Sequence, residues 1–435
     1  MAVPCSHGET PFPDVPHLRL RASWLLSMVG PPVRDGAVLI AEDGRIAAAG
    51  KDAEVPSPAG TTRRDAPGEV LLPGLINTHT HLELTGLAGQ ADHDDFPTWI
   101  RQLRRVKQGR RFPEFLAAAR DGVRRMLRAG VTTVADTGDS GAVLRALHEE
   151  GASGIAYQEV FGPDPARLEE SLGELQDRAA EQERYRSPRV RLGVSPHAPY
   201  SVSGPLFRAV ADFARRCRLP LAVHIAESQA ESLLLQSGTG PFADSWRGRG
   251  IPLPSHPAHD PPAGGIGSPV EWLDWFGVLG PSTLCIHAVR LGPADIELLR
   301  IRGAAVAHCP LSNRRHGHGD APLGALRDAG VPVGVGTDSE VSVGDLDLFA
   351  EARAARALAG LDAAAAIGLM TREAARAIGF PAALGMLAPG AWGDVIAVTV
   401  SSPAGVQDVA EAVLEAGHAA VVETWIGGRP ALGRP

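Results

Sequence analysis

The segment Leu71-Leu72-Pro73-Gly74-Leu75-Ile76-Asn77-Thr78-His79-Thr80-His81-Leu82-Glu83 runs from an apolar stretch straight into two histidines spaced i, i+2. On an extended strand, residues two apart point to the same side. Both imidazoles can therefore converge on one point, as a metal ion requires. An isolated pair of this kind is more often two surface histidines in a loop. What decides the matter is recurrence, because strand-like segments ending in polar residues return along the whole chain.

Strands are predicted over 69–77, 131–136, 153–159, 190–195, 221–224, 283–287, 304–308 and 332–336. Amphipathic helices fit 114–128, 166–183, 205–216, 293–302 and 346–358. Eight βα units imply a parallel sheet, and eight suggest a closed (β/α)8 TIM-type barrel with its active site at the C-terminal strand ends. An open doubly wound sheet is the alternative, but no GxGxxG turn follows the first strand.

The two ends of the chain read differently. From about 17 to 50, apolar runs such as Ala37-Val38-Leu39-Ile40 are separated by the turn pairs Asp35-Gly36 and Asp43-Gly44. The stretches 393–398 and 421–426 look alike, so the two termini are expected to join in one small β-sandwich. The resulting division is 1–66 for the N-terminal part of the sandwich, 67–384 for the barrel and 385–435 for the C-terminal part. The Pro-, Gly- and Ser-rich stretch 238–269 is too long for an ordinary connection and reads as a lid or a disordered loop.

Composition narrows the function classes. The 435 residues are 44% hydrophobic, enough for a sizeable core, and carry a net charge of −8. No basic tract argues for nucleic acid. No apolar stretch reaches ~18 residues, so no membrane span is expected. Met1–Pro16 lacks the apolar core of a secretion signal, which makes a soluble cytoplasmic protein the default. Cys5, Cys217, Cys285 and Cys309 show no CxxC spacing, so neither a disulfide framework nor a zinc knuckle is expected. Cys285 and Cys309 lie in apolar runs and read as buried, reduced thiols.

Polar residues cluster at the predicted strand ends. They are His79 and His81, His197 in Pro196-His197-Ala198-Pro199-Tyr200-Ser201, His224 with Glu227, His287, His308, and Asp338. Packing does not explain six such strand ends on one barrel face, because buried polar groups are costly without partners. His79, His81, His224 and Asp338 offer three nitrogens and one oxygen with room for water, a set that suits one Zn2+ and is compatible with Fe2+. A metal lowers the pKa of its water to about 7, giving hydroxide near neutral pH. Asp338 can touch the metal and accept the water's proton. Glu227 can carry a proton between water and substrate, and His287 can hydrogen-bond the water or a developing oxyanion. A two-metal site commonly needs a bridging carboxylated lysine, and the only lysines are Lys51 and Lys107. One ion is therefore favoured. A Glu or Cys bridge is the weaker possibility; Glu159, at the end of the third strand, is the candidate, with a helix cap or loop contact as its other reading.

In this combination the chain resembles the amidohydrolase superfamily. It is similar to the one-metal branch of cytosine, guanine, methylthioadenosine/S-adenosylhomocysteine and aminofutalosine deaminases and triazine chlorohydrolases. The motifs that carry the resemblance are the 73–81 segment, His224-Ile225-Ala226-Glu227, His287, His308-Cys309-Pro310-Leu311-Ser312-Asn313 and Gly336-Thr337-Asp338-Ser339. The resemblance implies metal binding by His79, His81, His224 and Asp338, proton transfer by Glu227, and water orientation by His287. It further implies substrate contacts at His197, Trp99 and Arg167; for Arg167 an exposed helix residue is the other reading. These enzymes often place a ribose-reaching Glu nine residues after the Trp, where this chain has Gln108.

The segments 81–87, with Glu83 as a candidate substrate contact, 96–100 and 158–162 look closer to the aminofutalosine deaminases of the alternative menaquinone pathway. The resemblance thus implies hydrolytic deamination at C6 of a 6-aminopurine nucleoside with release of ammonia, on a small-molecule substrate, by a homodimer. Alternatives are deamination of S-adenosylhomocysteine, methylthioadenosine or guanine, cleavage of another C–N or C–Cl bond, and a non-enzymatic metal-binding scaffold.

Overall fold

A computed structural model describes residues 17–255, 266–401 and 405–431. Met1–Pro16 and residues 256–265 of the Pro/Gly-rich stretch, on which two expectations rested, lie outside the described residues. Eight parallel strands, β1 Leu75–Thr80, β2 Val131–Gly138, β3 Ser153–Val160, β4 Val190–Pro196, β5 Leu221–Ile225, β6 Thr283–His287, β7 Ala305–His308 and β8 Val333–Val335, pair in chain order. A parallel bridge between Thr80 and Asp338 joins the first and last, with the Asp338 N–H donating to the His79 carbonyl at 3.0 Å. The sheet is thereby a barrel, and helices follow its strands.

Strands buried on both faces need continuous apolar or small residues, and every residue of β1, β2 and β3 is buried. The helices cover them with one apolar stripe each. Phe112–Arg128 buries Phe115, Leu116, Ala119, Val123, Met126 and Leu127, a spacing of three to four residues. Gly336 permits the closing contact between β8 and β1, since a Cβ there would sit 2.6 Å from the His79 nitrogen.

The expected first strand, 69–77, is divided. Thr62–Pro73 belongs to a separate sheet, and β1 begins only at Leu75. Gly74 makes the break: its N–H donates to the Asp394 carbonyl, and a Cβ there would collide with Thr132. The separate sheet draws on both termini, as expected. It is one seven-stranded mixed sheet, ordered Arg429–Pro430, Val421–Ile426, Val395–Thr399, Thr62–Pro73, Leu18–Leu25, Val33–Ile40 and Ile46–Lys51. Asp43-Gly44 turns between its last two strands. Asp35-Gly36 does not turn, because antiparallel pairing with Leu18–Leu25 continues past it, Gly36 opposite Ala22.

Several helices stand outside the predicted ranges, and two of them border the site. Phe96–Gln108 follows β1, begun by the Asp95 side chain accepting the Thr98 N–H. Gly240–Gly248 lies inside the stretch read as a lid or disordered loop. Its Pro241 occupies the first turn, where a missing N–H costs nothing. Among the described residues no helix is long and apolar enough to cross a membrane, and Cys217, Cys285 and Cys309 are free thiols.

Candidate active site

The C-terminal ends of the barrel strands open into a cavity of about 620 Å³. His81, His197, His224, Glu227, His287 and Asp338 line it, and His79 lies fully buried beneath. The chain turns sharply where these side chains are presented. Ala226, His287, Ala288 and Asp338 all have φ between 48° and 70°, in the left-handed region that residues with a Cβ rarely adopt. Glu231 stabilises one such turn, its carboxylate accepting the N–H groups of Ala226 at 2.8 Å and Glu227 at 2.9 Å.

His79 and His81 do share one side of β1. Their Nε2 atoms lie 3.6 and 3.4 Å from Asp338 Oδ1. The ring centroid of His224 is 5.0 Å from that of His79 and 5.6 Å from that of His81. The far nitrogens are anchored. His81 Nδ1 is 2.7 Å from the Thr137 carbonyl and His224 Nδ1 is 3.1 Å from the His197 carbonyl. A proton on Nδ1 leaves each Nε2 lone pair aimed at the centre. Both nitrogens of His79 are buried without a hydrogen-bond partner. Native proteins rarely leave such atoms unmatched, and a cation among these four residues would match them. The donor set fits a metal.

Charge follows the same pattern. Burial pushes His79 down to about 4, against the pull of Asp338. Burial and the neighbouring His197 and His79 hold His224 well below its ordinary value. Burial alone would raise Asp338, but His79 and His81 standing beside its carboxylate keep it well below the carboxylate range. The histidines are thus neutral and the aspartate ionised, the forms that ligate metal.

Glu227 sits beside this cluster. His287 Nε2 is 3.6 Å from its Oε1, and the Tyr200 hydroxyl donates to Oε2 at 3.3 Å. Burial would raise this carboxyl, yet His287 and His318 bring it down to about 2. His287 is itself oriented by Asn313, whose Oδ1 lies 2.9 Å from Nδ1. Asp338 Oδ2 accepts from the Ser312 hydroxyl at 2.5 Å.

The expected substrate contacts divide. His197 and Trp99 line the cavity, as does Gln108. Arg167 does not. It is exposed in the turn Pro165–Arg167 and paired with Glu170, a local partner three residues away. Glu83 is 1% exposed and lies behind the cavity lining, held by Lys107, whose Nζ donates to Glu83 at 2.9 Å and to Asp139 at 2.6 Å, and by the Ser140 N–H at 3.1 Å. Glu159 lines the cavity with His197 and His224, one donor atom of each lying within 4.8 Å of the others. Burial pushes its carboxyl up to about 8, against the charge of Lys107. Residues the motifs passed over also face this space. His316 lines it, Arg104 and Arg249 stand at the mouth, and His318 lies behind Glu227, its Nε2 3.3 Å from Oε1. An HxH pair at 316–318 was the available signal for the two histidines.

The sequence profile of the amidohydrolase family matches residues 70–431. The aminodeoxyfutalosine deaminase of Deinococcus radiodurans is 32% identical over 388 residues, covering 86% of this chain and 90% of that protein. The 5-methylthioadenosine/S-adenosylhomocysteine deaminase of Teredinibacter turnerae is 30% identical over 399 residues, covering 88% and 84%. Among solved structures, an adenosine deaminase from Xanthomonas campestris with bound zinc superposes with a TM-score of 0.81 at 27% identity, covering 96% of this chain and 93% of that one. The profile, these relatives and the cluster at the barrel mouth agree: the chain belongs to the amidohydrolase family and is a hydrolase acting on carbon–nitrogen bonds.

Proposed function

We propose that the chain is a hydrolytic deaminase of a 6-aminopurine nucleoside, dependent on one zinc ion, with Fe2+ as the alternative. The observation that carries this reading is the pairing of Glu227 with His287 beside a His/His/His/Asp cluster inside one cavity. His79, His81, His224 and Asp338 would hold the ion, which when bound supplies Lewis acidity that lowers the pKa of water.

The remaining chemistry belongs to side chains. Asp338 and Glu227 begin as carboxylates, able to take a proton from the attacking water. Glu227 delivers that proton to the purine ring nitrogen as the water oxygen adds to C6. A second transfer through Glu227 gives the departing amine its proton, and ammonia leaves. With its Nδ1–H given to Asn313 Oδ1, His287 donates from Nε2 to the oxygen on C6 when both ring nitrogens carry protons. His197 and Trp99 flank the purine and its sugar.

The finer reading is an aminofutalosine-type substrate, a 6-aminopurine nucleoside whose 5′ extension ends in an aromatic carboxylate. Arg104 and Arg249 support it. Among the described residues no carboxylate pairs with either guanidinium. They are close enough that burial and the charge of Arg104 together lower the pKa of Arg249. Arg104 also stands 5.9 Å from the Phe161 ring centre, which offers an aromatic face beside the cation. The relatives named for aminodeoxyfutalosine and for methylthioadenosine or S-adenosylhomocysteine leave both substrate types in view. The test is ammonia release by the zinc-loaded protein from aminofutalosine, methylthioadenosine, S-adenosylhomocysteine, adenosine and guanine. The reading expects aminofutalosine to be fastest by at least ~10-fold in kcat/KM, about 1.4 kcal/mol of preference. Equal rates overturn the substrate, and no ammonia from any of them overturns the deaminase.

A further inference from the structure

Glu227 Oε1 is approached by two imidazoles, and the reaction as derived uses only one. His287 Nε2 stands 3.6 Å away and His318 Nε2 stands 3.3 Å away, close polar contacts rather than hydrogen bonds, and His318 Nε2 is buried with no hydrogen-bond partner. All three side chains are nearly sealed from solvent, with exposures of 5% for Glu227, 2% for His287 and 4% for His318. Both histidines hang on Asn313. Its side-chain oxygen lies 2.9 Å from His287 Nδ1, and its carbonyl accepts the His318 N–H at 2.9 Å. Phe96 packs edge-on against the His318 ring, with centroids 4.5 Å apart. The His318 ring is thus fixed on one face by the helix Phe96–Gln108 and at its backbone by the residue that orients His287.

We infer that His318 is a positioning residue for Glu227: with His287 it forks Oε1, fixing the carboxylate in the one rotamer from which the proton can be passed. A buried carboxylate held by a single neighbour keeps rotational freedom, and a displacement of about 1 Å in a reacting group can cost about 100-fold in rate. Two imidazoles on Oε1, with the Tyr200 hydroxyl on Oε2, remove that freedom. This inference rests on the deaminase reading for its kinetic consequence, but not for its geometry.

Two substitutions separate positioning from packing. His318→Phe keeps the ring against Phe96 and removes Nε2. His318→Gln removes the ring and keeps a nitrogen donor at similar reach. On whichever nucleoside the wild-type protein deaminates, His318→Phe is expected to lose about 10- to 100-fold in kcat with KM within about threefold. His318→Gln should stay within about threefold of wild type. The reverse order, or a loss confined to KM, would overturn the inference. A crystal structure of zinc-loaded His318→Phe reads the geometry without turnover. A Glu227 carboxylate rotated away from His287 or split between rotamers supports the fork, and an unmoved carboxylate overturns it. A wild-type protein that deaminates nothing refutes the proposed function alone, and the crystal structure still decides this point.

Discussion

His81 Nε2 lies 3.4 Å from Asp338 Oδ1, although one residue follows the first barrel strand and the other follows the eighth. The contact exists because the barrel closes at that place, through the Thr80–Asp338 bridge and the Asp338 N–H on the His79 carbonyl. Asn77 reinforces the seam, its Oδ1 accepting the Thr337 N–H at 3.1 Å and its Nδ2 donating to the Thr337 hydroxyl at 2.8 Å. Closing the fold and assembling the cluster are one structural event.

Metal retention and proton transfer should therefore separate by mutation. His79→Ala is expected to lose bound zinc and activity together, read by metal analysis of the purified protein. Glu227→Gln should keep stoichiometric zinc while kcat falls by about 10²- to 10⁴-fold, the usual worth of a positioned acid–base group. Zinc loss in Glu227→Gln, or near wild-type turnover, contradicts the division of roles.

The mouth arginines should act on binding rather than on the chemical step. Arg104→Ala and Arg249→Ala are expected to raise KM for a nucleoside with an anionic extension by about 10-fold each, about 1.4 kcal/mol, with kcat little changed. KM for adenosine should not move. Equal effects on both substrates would show that the guanidinium groups do not read the extension.

Lys107 is the cation on which two acidic groups depend. Glu83 is buried, accepts from Lys107 Nζ and the Ser140 N–H, and would be left without a cation by Lys107→Met. Breaking a buried pair on one side costs about 3 kcal/mol or more, and the partial exposure of Lys107 places this case at the lower end. Urea unfolding should register the loss, and adding Glu83→Gln should recover part of it. A neutral Lys107→Met variant would show that Glu83 is carried by its other donors.

How much of this was legible in the sequence follows from the range of each signal. Strand-end histidines were readable because period-two geometry and the i, i+2 spacing act within one segment. The barrel was readable because apolar runs alternate with helical stripes eight times. The pair Lys107–Glu83 was not, since it joins the helix Phe96–Gln108 to the single helical turn Leu82–Leu84, 24 residues earlier, and no local pattern encodes the partner. Arg167 was misplaced because Glu170, only three residues away, satisfies it on the surface. The helices at 96–108 and 240–248 were passed over because proline reads as a breaker unless it is placed in the first turn. Gly74 split an apolar run that looked continuous, for a reason located on Thr132 and Asp394.

Acid should destabilise the fold before it disturbs the surface. His308 is buried with both ring nitrogens unpartnered, and burial takes it down to about 3. The unfolded chain protonates such a histidine below about 6.5, whereas the folded chain resists until about 3. Its stabilisation is therefore complete above about pH 6.5 and is lost as pH falls from there toward 3, at about 1.4 kcal/mol per pH unit. His308→Gln should remove one proton's worth of that slope in urea unfolding of the metal-free protein between pH 6 and 4, a range set by about these pKa values. An unchanged slope would show that His308 does not titrate with unfolding.

The central claim is that water replaces the 6-amino group of a purine nucleoside within this cavity. It is tested most directly by running the zinc-loaded protein in 18O-labelled water with the nucleoside it turns over and weighing the product. The account predicts one 18O atom in the 6-oxopurine and one ammonia released per turnover. A product without the label, or one formed with the amino group retained, would contradict it.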